Sequence, residues 1–168
     1  GTDSFTYTNE EGEVGTVNVT ITPQDDPTFI QVAGANSAQG VVYEDNVALQ
    51  SAQGNFIFSD ADYTEPEDYQ PTSEFTSSTG GSNSIGDFTL TPNPTASNPG
   101  QFQWEYVLNN EAAQYLGENE SIIEIYTVTI NGEQTTVKIA IVGKNDDTFI
   151  NVHVDAGDTA LGEVTEDK

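Results

Sequence analysis

The side chains with chemistry to offer in this sequence are carboxylates, and they recur. Lys144-Asn145-Asp146-Asp147-Thr148-Phe149-Ile150-Asn151-Val152 repeats the pattern of Gln24-Asp25-Asp26-Pro27-Thr28-Phe29-Ile30-Gln31-Val32. Asp25 and Asp26 in one copy, and Asn145, Asp146 and Asp147 in the other, supply hard oxygen donors. Glu44-Asp45 recurs as Glu166-Asp167, and Asp60 and Asp62 form an Asp-x-Asp pair where an apolar run ends. Donors of this kind suit calcium, which takes roughly six to eight oxygen ligands from carboxylates, carbonyls and water. No one cluster fills such a sphere; a site shared between two folded units meeting end to end would. The competing reading is that these acids are solvated turns at strand ends. Their recurrence with the repeat favours metal.

The elements that must position these groups repeat with them. Thr16–Ile21 lies over Thr136–Ile141 at an offset of 120, in step with the acidic stretch, and Gly40–Asn46 lies over Gly162–Lys168 at an offset of 122. Such spacing marks a tandem array. It predicts the closing hairpin of a preceding repeat over 1–24, a complete repeat with an acidic junction over 25–147, and the opening strand of a following repeat over 148–168. Strand alternation is clearest in Gln101–Leu108, where Phe102, Trp104, Tyr106 and Leu108 share a face. Phe56 and Phe58, Phe88 and Leu90, Tyr126 and Val128, and Val137, Ile139 and Ile141 are the other expected inward residues. Asn131-Gly132 is a two-residue hairpin signal. Asn109 to Gly117 reads as one or two helical turns, with an Asn capping the start and Gly117 ending it. Residues 63–84 read as a long connection with a short strand near Glu74–Thr76. Many short strands, turn signals and almost no helix predict an all-β, antiparallel sandwich.

Composition narrows the partners. There are 28 acidic residues against three lysines, for a net charge of −25. Such a chain repels nucleic acid and anionic membranes and calls for cations. The absence of cysteine leaves no disulfide framework and no thiolate metal site. No apolar run approaches a membrane span, and no secretory leader opens the stretch.

Val42…Glu44-Asp45, Phe56-Ile57-Phe58-Ser59-Asp60-Ala61-Asp62, Gly86…Phe88-Thr89-Leu90, Phe102-Gln103-Trp104-Glu105-Tyr106…Leu108, Leu116-Gly117…Glu120 and Tyr126-Thr127-Val128-Thr129-Ile130 follow one another in an order that resembles the VCBS repeat of large bacterial surface proteins. Gly1–Thr8 resembles the end of the related cadherin-like repeats of RTX-type adhesins. The resemblance implies an immunoglobulin- or cadherin-like sandwich, calcium at the repeat junctions, and a secreted or cell-surface extender module supporting adhesion, biofilm or filament formation. Its partners would be neighbouring repeats or copies of itself. The chain departs from the pattern at Asn109-Asn110, where an Asp is frequent, and in the length of 63–84.

The remaining candidates divide between function and packing. Tyr63, Tyr69 and Phe75 beside acids could stack on sugars, making 63–84 a glycan- or protein-binding surface; covering the sandwich edge is the plainer role. Lys138 is expected on the outward face and His153 on the surface. Paired carboxylates are the one requirement of a glycosidase that the chain meets. No catalytic constellation accompanies them, so no enzyme is expected.

Overall fold

The computed structural model describes residues 1–32, 34 and 38–146. Ten strands form in chain order: β1 (Thr2–Thr8), β2 (Val14–Thr20), β3 (Phe29–Val32), β4 (Gln39–Tyr43), β5 (Ser51–Ser59), β6 (Thr72–Ser78), β7 (Gly86–Pro92), β8 (Gln101–Leu108), β9 (Ser121–Ile130) and β10 (Glu133–Val142). One helical turn, α1 (Asn110–Ala113), lies between β8 and β9. The hydrophobic alternation explains the strands directly. In β8, Phe102, Trp104, Tyr106 and Leu108 are buried while the residues between them reach solvent, and β9 and β10 alternate in the same way.

β3 to β10 make an all-β sandwich of two four-stranded sheets, ordered β3-β5-β8-β7 and β4-β10-β9-β6. In immunoglobulin lettering these are A-B-E-D and A′-G-F-C, the constant-type arrangement with a first strand divided between the sheets. Every pairing is antiparallel except β4 with β10, which is parallel. The sequence predicts only antiparallel pairs. The exception arises because the chain changes sheets between β3 and β4 without reversing, and so meets its last strand in the same direction.

The core is aromatic. Trp104, Tyr106, Phe56 and Phe58 are fully buried, with Val128, Val137, Ile139 and Ile141 opposite them. Phe88 stacks on Trp104 on one side and on Tyr126 on the other, with centroids 6.0 and 4.5 Å away. Phe88 and Leu90 are only half-buried, because β7 is an edge strand. Residues 63–84 are more ordered than the sequence suggests. They contain a 3₁₀ turn at Pro66–Asp68 and the whole of β6, which pairs with β9 through a bulge between Phe75 and Ser77. The strand expected at Phe56–Phe58 begins earlier, at Ser51. The helical turn is shorter than expected: Asn109 makes no side-chain cap and the helix closes at Gln114. The Gly117 N–H is taken instead by the Glu120 carboxylate.

Glu124 sits at an inward position of β9 with no exposure at all. Its Oε1 accepts the Ile85 N–H at 2.7 Å, and its Oε2 lies 2.8 to 3.1 Å from the hydroxyls of Tyr126, Ser84 and Tyr106. Burial first, then the neighbouring carboxylate, pushes the Tyr106 phenol far up. A buried charge needs such a shell of donors, and this one ties the β6–β7 connection to the core.

β1 and β2 form a two-stranded sheet of their own, largely exposed, including Phe5, Tyr7 and Val14. Their register copies β9 and β10. Val17 faces Phe5 and Val19 faces Asp3, as Val137 faces Tyr126 and Ile139 faces Glu124. Asp3 thus occupies the place of the buried Glu124.

Replacing Trp104 with Ala removes the side chain around which both sheets close and should destabilise the sandwich by about 3–5 kcal/mol. Urea denaturation checks this; an unchanged midpoint would contradict the core assignment.

Candidate functional site: acidic clusters at the two ends of the sandwich

The strand order places the sequence-predicted acids at opposite ends. At the entry end, β3 begins and β5 finishes side by side, with Phe29 opposite Ser59. The linker therefore meets the loop after β5. The Asp26 N–H donates to Asp62 Oδ2 at 2.8 Å, and the Thr28 hydroxyl donates to Asp60 Oδ2. The Asp62 N–H returns to Asp60 Oδ1 at 3.0 Å, so Asp60, itself buried, is satisfied at both oxygens. The Asn131 amide, held at φ 48° in the β9–β10 turn, donates to Thr28 and to the Tyr63 hydroxyl. Asp25 is exposed.

At the exit end, β4 and β10 finish together and the chain leaves through Gly143 and Lys144. A Cβ on Gly143 would lie 2.6 Å from the Gly117 carbonyl oxygen, so only glycine lets β10 run out against the β8–β9 connection. The Lys144 N–H then donates to Glu44 Oε2 at 3.0 Å. Glu44 is 1 % exposed, and its Oε1 is buried without a hydrogen-bond partner among the described residues. Desolvation pushes its carboxyl above the ordinary glutamate range, and the carboxylates of Asp146 and Asp45 push it further. Asp45 adopts a left-handed backbone with φ 52°. Its N–H donates to Asn110 Oδ1 and its Oδ1 accepts from Asn110 Nδ2, each at 2.8 Å. These amide contacts, Asn110 before Gln114, hold its carboxyl below the usual range. An Asp at 110 could not donate to Asp45, so the departure at Asn110 has a structural use. Glu44, Asp45, Asn119 and Lys144 line a cleft of about 330 Å³.

The structure thus brings Glu44, Asp45 and Asp146 to one end, and Asp26, Asp60 and Asp62 to the other. Asn145 is exposed beside the first group. Asp147, Glu166, Asp167 and His153 lie outside the described residues. Among the described residues no three Asp, Glu or His side chains already converge as a metal cage. Tyr69 is buried, Tyr63 packs edge-on against it at 5.2 Å, and Phe75 packs on Tyr126, so these rings cover the sandwich. Lys138 is exposed on the outward face of β10. Sequence reasoning missed Glu124 and the burial of Glu44. The signal for Glu124 was its parity: it shares a face with Tyr126, Val128 and Ile130.

No family model and no curated protein matches the chain. Among solved structures, it is similar to domains 4 and 5 of the S-layer protein SbsC, with 9% identity, 80% of this chain and 61% of that chain covered, and a TM-score of 0.40. The titin domain M7 is matched at 15% identity over 73% of this chain and 99% of that one, with a TM-score of 0.37. The sialic acid binding region of a Streptococcus sanguinis SK1 adhesin is matched at 15% identity over 84% of this chain and 37% of that one, with a TM-score of 0.33. The chain spans 61% of the length of the S-layer chain. At these scores the likenesses carry no functional argument. No helix among the described residues is long and apolar enough to cross a membrane.

The two carboxyls at the exit end respond oppositely to pH. Glu44, raised above 4.5, contributes stability that is present below that value and lost as pH rises through its folded value. Asp45, lowered below 3.8, contributes stability that is present above that value and lost as pH falls through its folded value. Without metal, Glu44→Gln should therefore melt about 2–4 °C higher than wild type at pH 7. The gap should close as the pH approaches 4.5. Melting curves in chelator test this; a gap that does not change with pH would contradict it.

Proposed function

We propose that this chain is a tandem-repeat extender module of a bacterial cell-surface adhesin or extracellular filament, of the VCBS and cadherin-like kind, whose repeats are stiffened at their junctions by calcium. The observation that carries the reading is Glu44: a buried carboxylate with one oxygen on the outgoing linker and the other without a donor. Asp45 and Asp146 stand beside it, and the three acids share one end. A divalent cation would give the free Glu44 oxygen a partner and offset the repulsion among the three acids, and oxygen-only donors suit calcium or a similarly hard ion. The oxygens of Glu44, Asp45 and Asp146 would hold it. Backbone carbonyls, water and the opening acids of the following repeat would complete the sphere.

The repeat supports this by superposing the two linkers. Lys144 corresponds to Gln24, Asp146 to Asp26, and Thr148 to Thr28. In one copy the first position is bound backwards, to Glu44. In the other copy the third and fifth positions are bound forwards, to Asp62 and Asp60. Combined in one linker, the backward and forward anchors are two residues apart, at most about 7 Å of extended chain. Two acidic ends would then face each other across that gap. Without a cation they repel. With one, they become a brace. The register match of β1–β2 to β9–β10 supports the same tandem reading.

Calcium titrated into the chain should raise its melting temperature. The gain is roughly 2.7 kcal/mol when free ion stands a hundredfold above the dissociation constant. Millimolar extracellular calcium suffices for a site of about 0.1–1 mM affinity. Asp45→Asn with Asp146→Asn should remove most of the gain. Equal melting in calcium and in chelator would leave only a salt-solvated acidic sandwich.

A further inference from the structure

The outer face of the β3-β5-β8-β7 sheet is unlike the rest of this acidic chain. Strand parity turns Phe29 and Gln31 of β3 outward, because Ile30 packs into the core. The same parity turns Gln53 of β5 and Gln101 and Gln103 of β8 outward, since Phe56, Phe102 and Trp104 are buried. The register sets these amides on neighbouring strands. Gln31 lies opposite Ile57, which lies opposite Gln101, and Gln53 lies diagonal to Gln103. Gln103 Nε2 donates to Gln53 Oε1 at 2.6 Å. That bond orients both groups, leaving a donor on Gln53 and an acceptor on Gln103 without a protein partner among the described residues. At the end of this lattice Phe29 is 61 % exposed and forms one wall of a cleft with Pro27, Ser59 and Ala61, beside Asp26 and Asp60. Along the strands, Asp87 and Glu105 are the charged residues that parity turns to this face, although the chain has 28 acids; Asp26 and Asp60 flank its Phe29 end. The aromatic and the amide recur with the repeat as Phe149 and Asn151.

We propose that this face binds a neutral glycan chain, with Phe29 as the stacking platform and Gln31, Gln53, Gln101 and Gln103 as the hydrogen-bonding rail. A flat row of uncharged amides offers donors and acceptors together, which matches vicinal hydroxyls and adds no charge of its own to favour a phosphate or a cation. A rigid sheet holds the row at strand spacing, so little order has to be gained on binding. An exposed ring at one end supplies the apolar contact that a sugar ring's C–H face needs. The segment 63–84 offers less, since its aromatic rings are engaged in packing. The site does not depend on the calcium reading.

The test is affinity electrophoresis of the full chain through gels containing soluble β-glucan, mannan or galactan, with alginate as the anionic control. At least one neutral polymer should retard the chain and alginate should not. Phe29→Ala should weaken that retardation about tenfold, and Gln31→Ala with Gln103→Ala should do the same. All three positions reach solvent, so melting temperatures should stay unchanged. No retardation by any neutral polymer would overturn the proposal. So would retardation that survives both variants, or that is lost on Gln70→Ala in 63–84 instead.

Discussion

Burying a carboxylate is among the least favourable things a small domain can do; this one does it at Asp60, Glu124 and Glu44, and the last two have opposite outcomes. Glu124 and Glu44 are both withdrawn almost wholly from water. Glu124 is surrounded by donors from three hydroxyls and one backbone N–H, all supplied by the sandwich. Glu44 has one oxygen on the Lys144 N–H and, among the described residues, no donor on the other. The first is a finished internal network. The second is half of one, at the point where the chain leaves the sandwich.

That contrast organises the rest. The divided first strand exists in two sheets so that β4 can run parallel to β10 and finish beside it. Glu44 and the outgoing linker are thereby delivered to the same place. Gly143 lets the strand end pass close to the β8–β9 connection, and Asn110 clamps Asp45 without adding a charge. At the other end, Asp60 is already satisfied by Thr28 and Asp62, and it holds the incoming linker rigidly. Six of the candidate acids are thus gathered at the two ends of the sandwich, while one outer sheet face carries a row of amides beside Asp87 and Glu105.

Much of this was legible in the sequence. Period-two alternation marks β8, β9 and β10 with their inward faces, and Asn131-Gly132 marks the turn with its positive φ angles. The internal offset of 120 residues is enough to pair the two linkers position by position. What the sequence did not reveal depends on long-range pairing. β6 is held in a Ser- and Thr-rich segment by β9, not by its own propensity. The start of β5 at Ser51 is polar because one face meets solvent, and the parallel β4–β10 pair follows from a sheet switch without a local signature. The acids were identifiable as candidate ligands by type. Which were buried, which were satisfied and which shared an end required the topology. Glu124 is inward by parity alone, and apart from the Tyr126 hydroxyl on its own strand its donors come from β8 and the β6–β7 connection.

A cation that braced the junction, as proposed, would fix the angle and distance between consecutive units. The chain has no cysteine, so two units joined through the native linker can each carry one spin label at Thr89→Cys, an exposed position on β7. Double electron–electron resonance then reads the inter-unit distance directly. A narrow distance distribution in millimolar calcium that broadens in chelator is the predicted result. Distributions of equal width in both conditions would contradict the calcium brace.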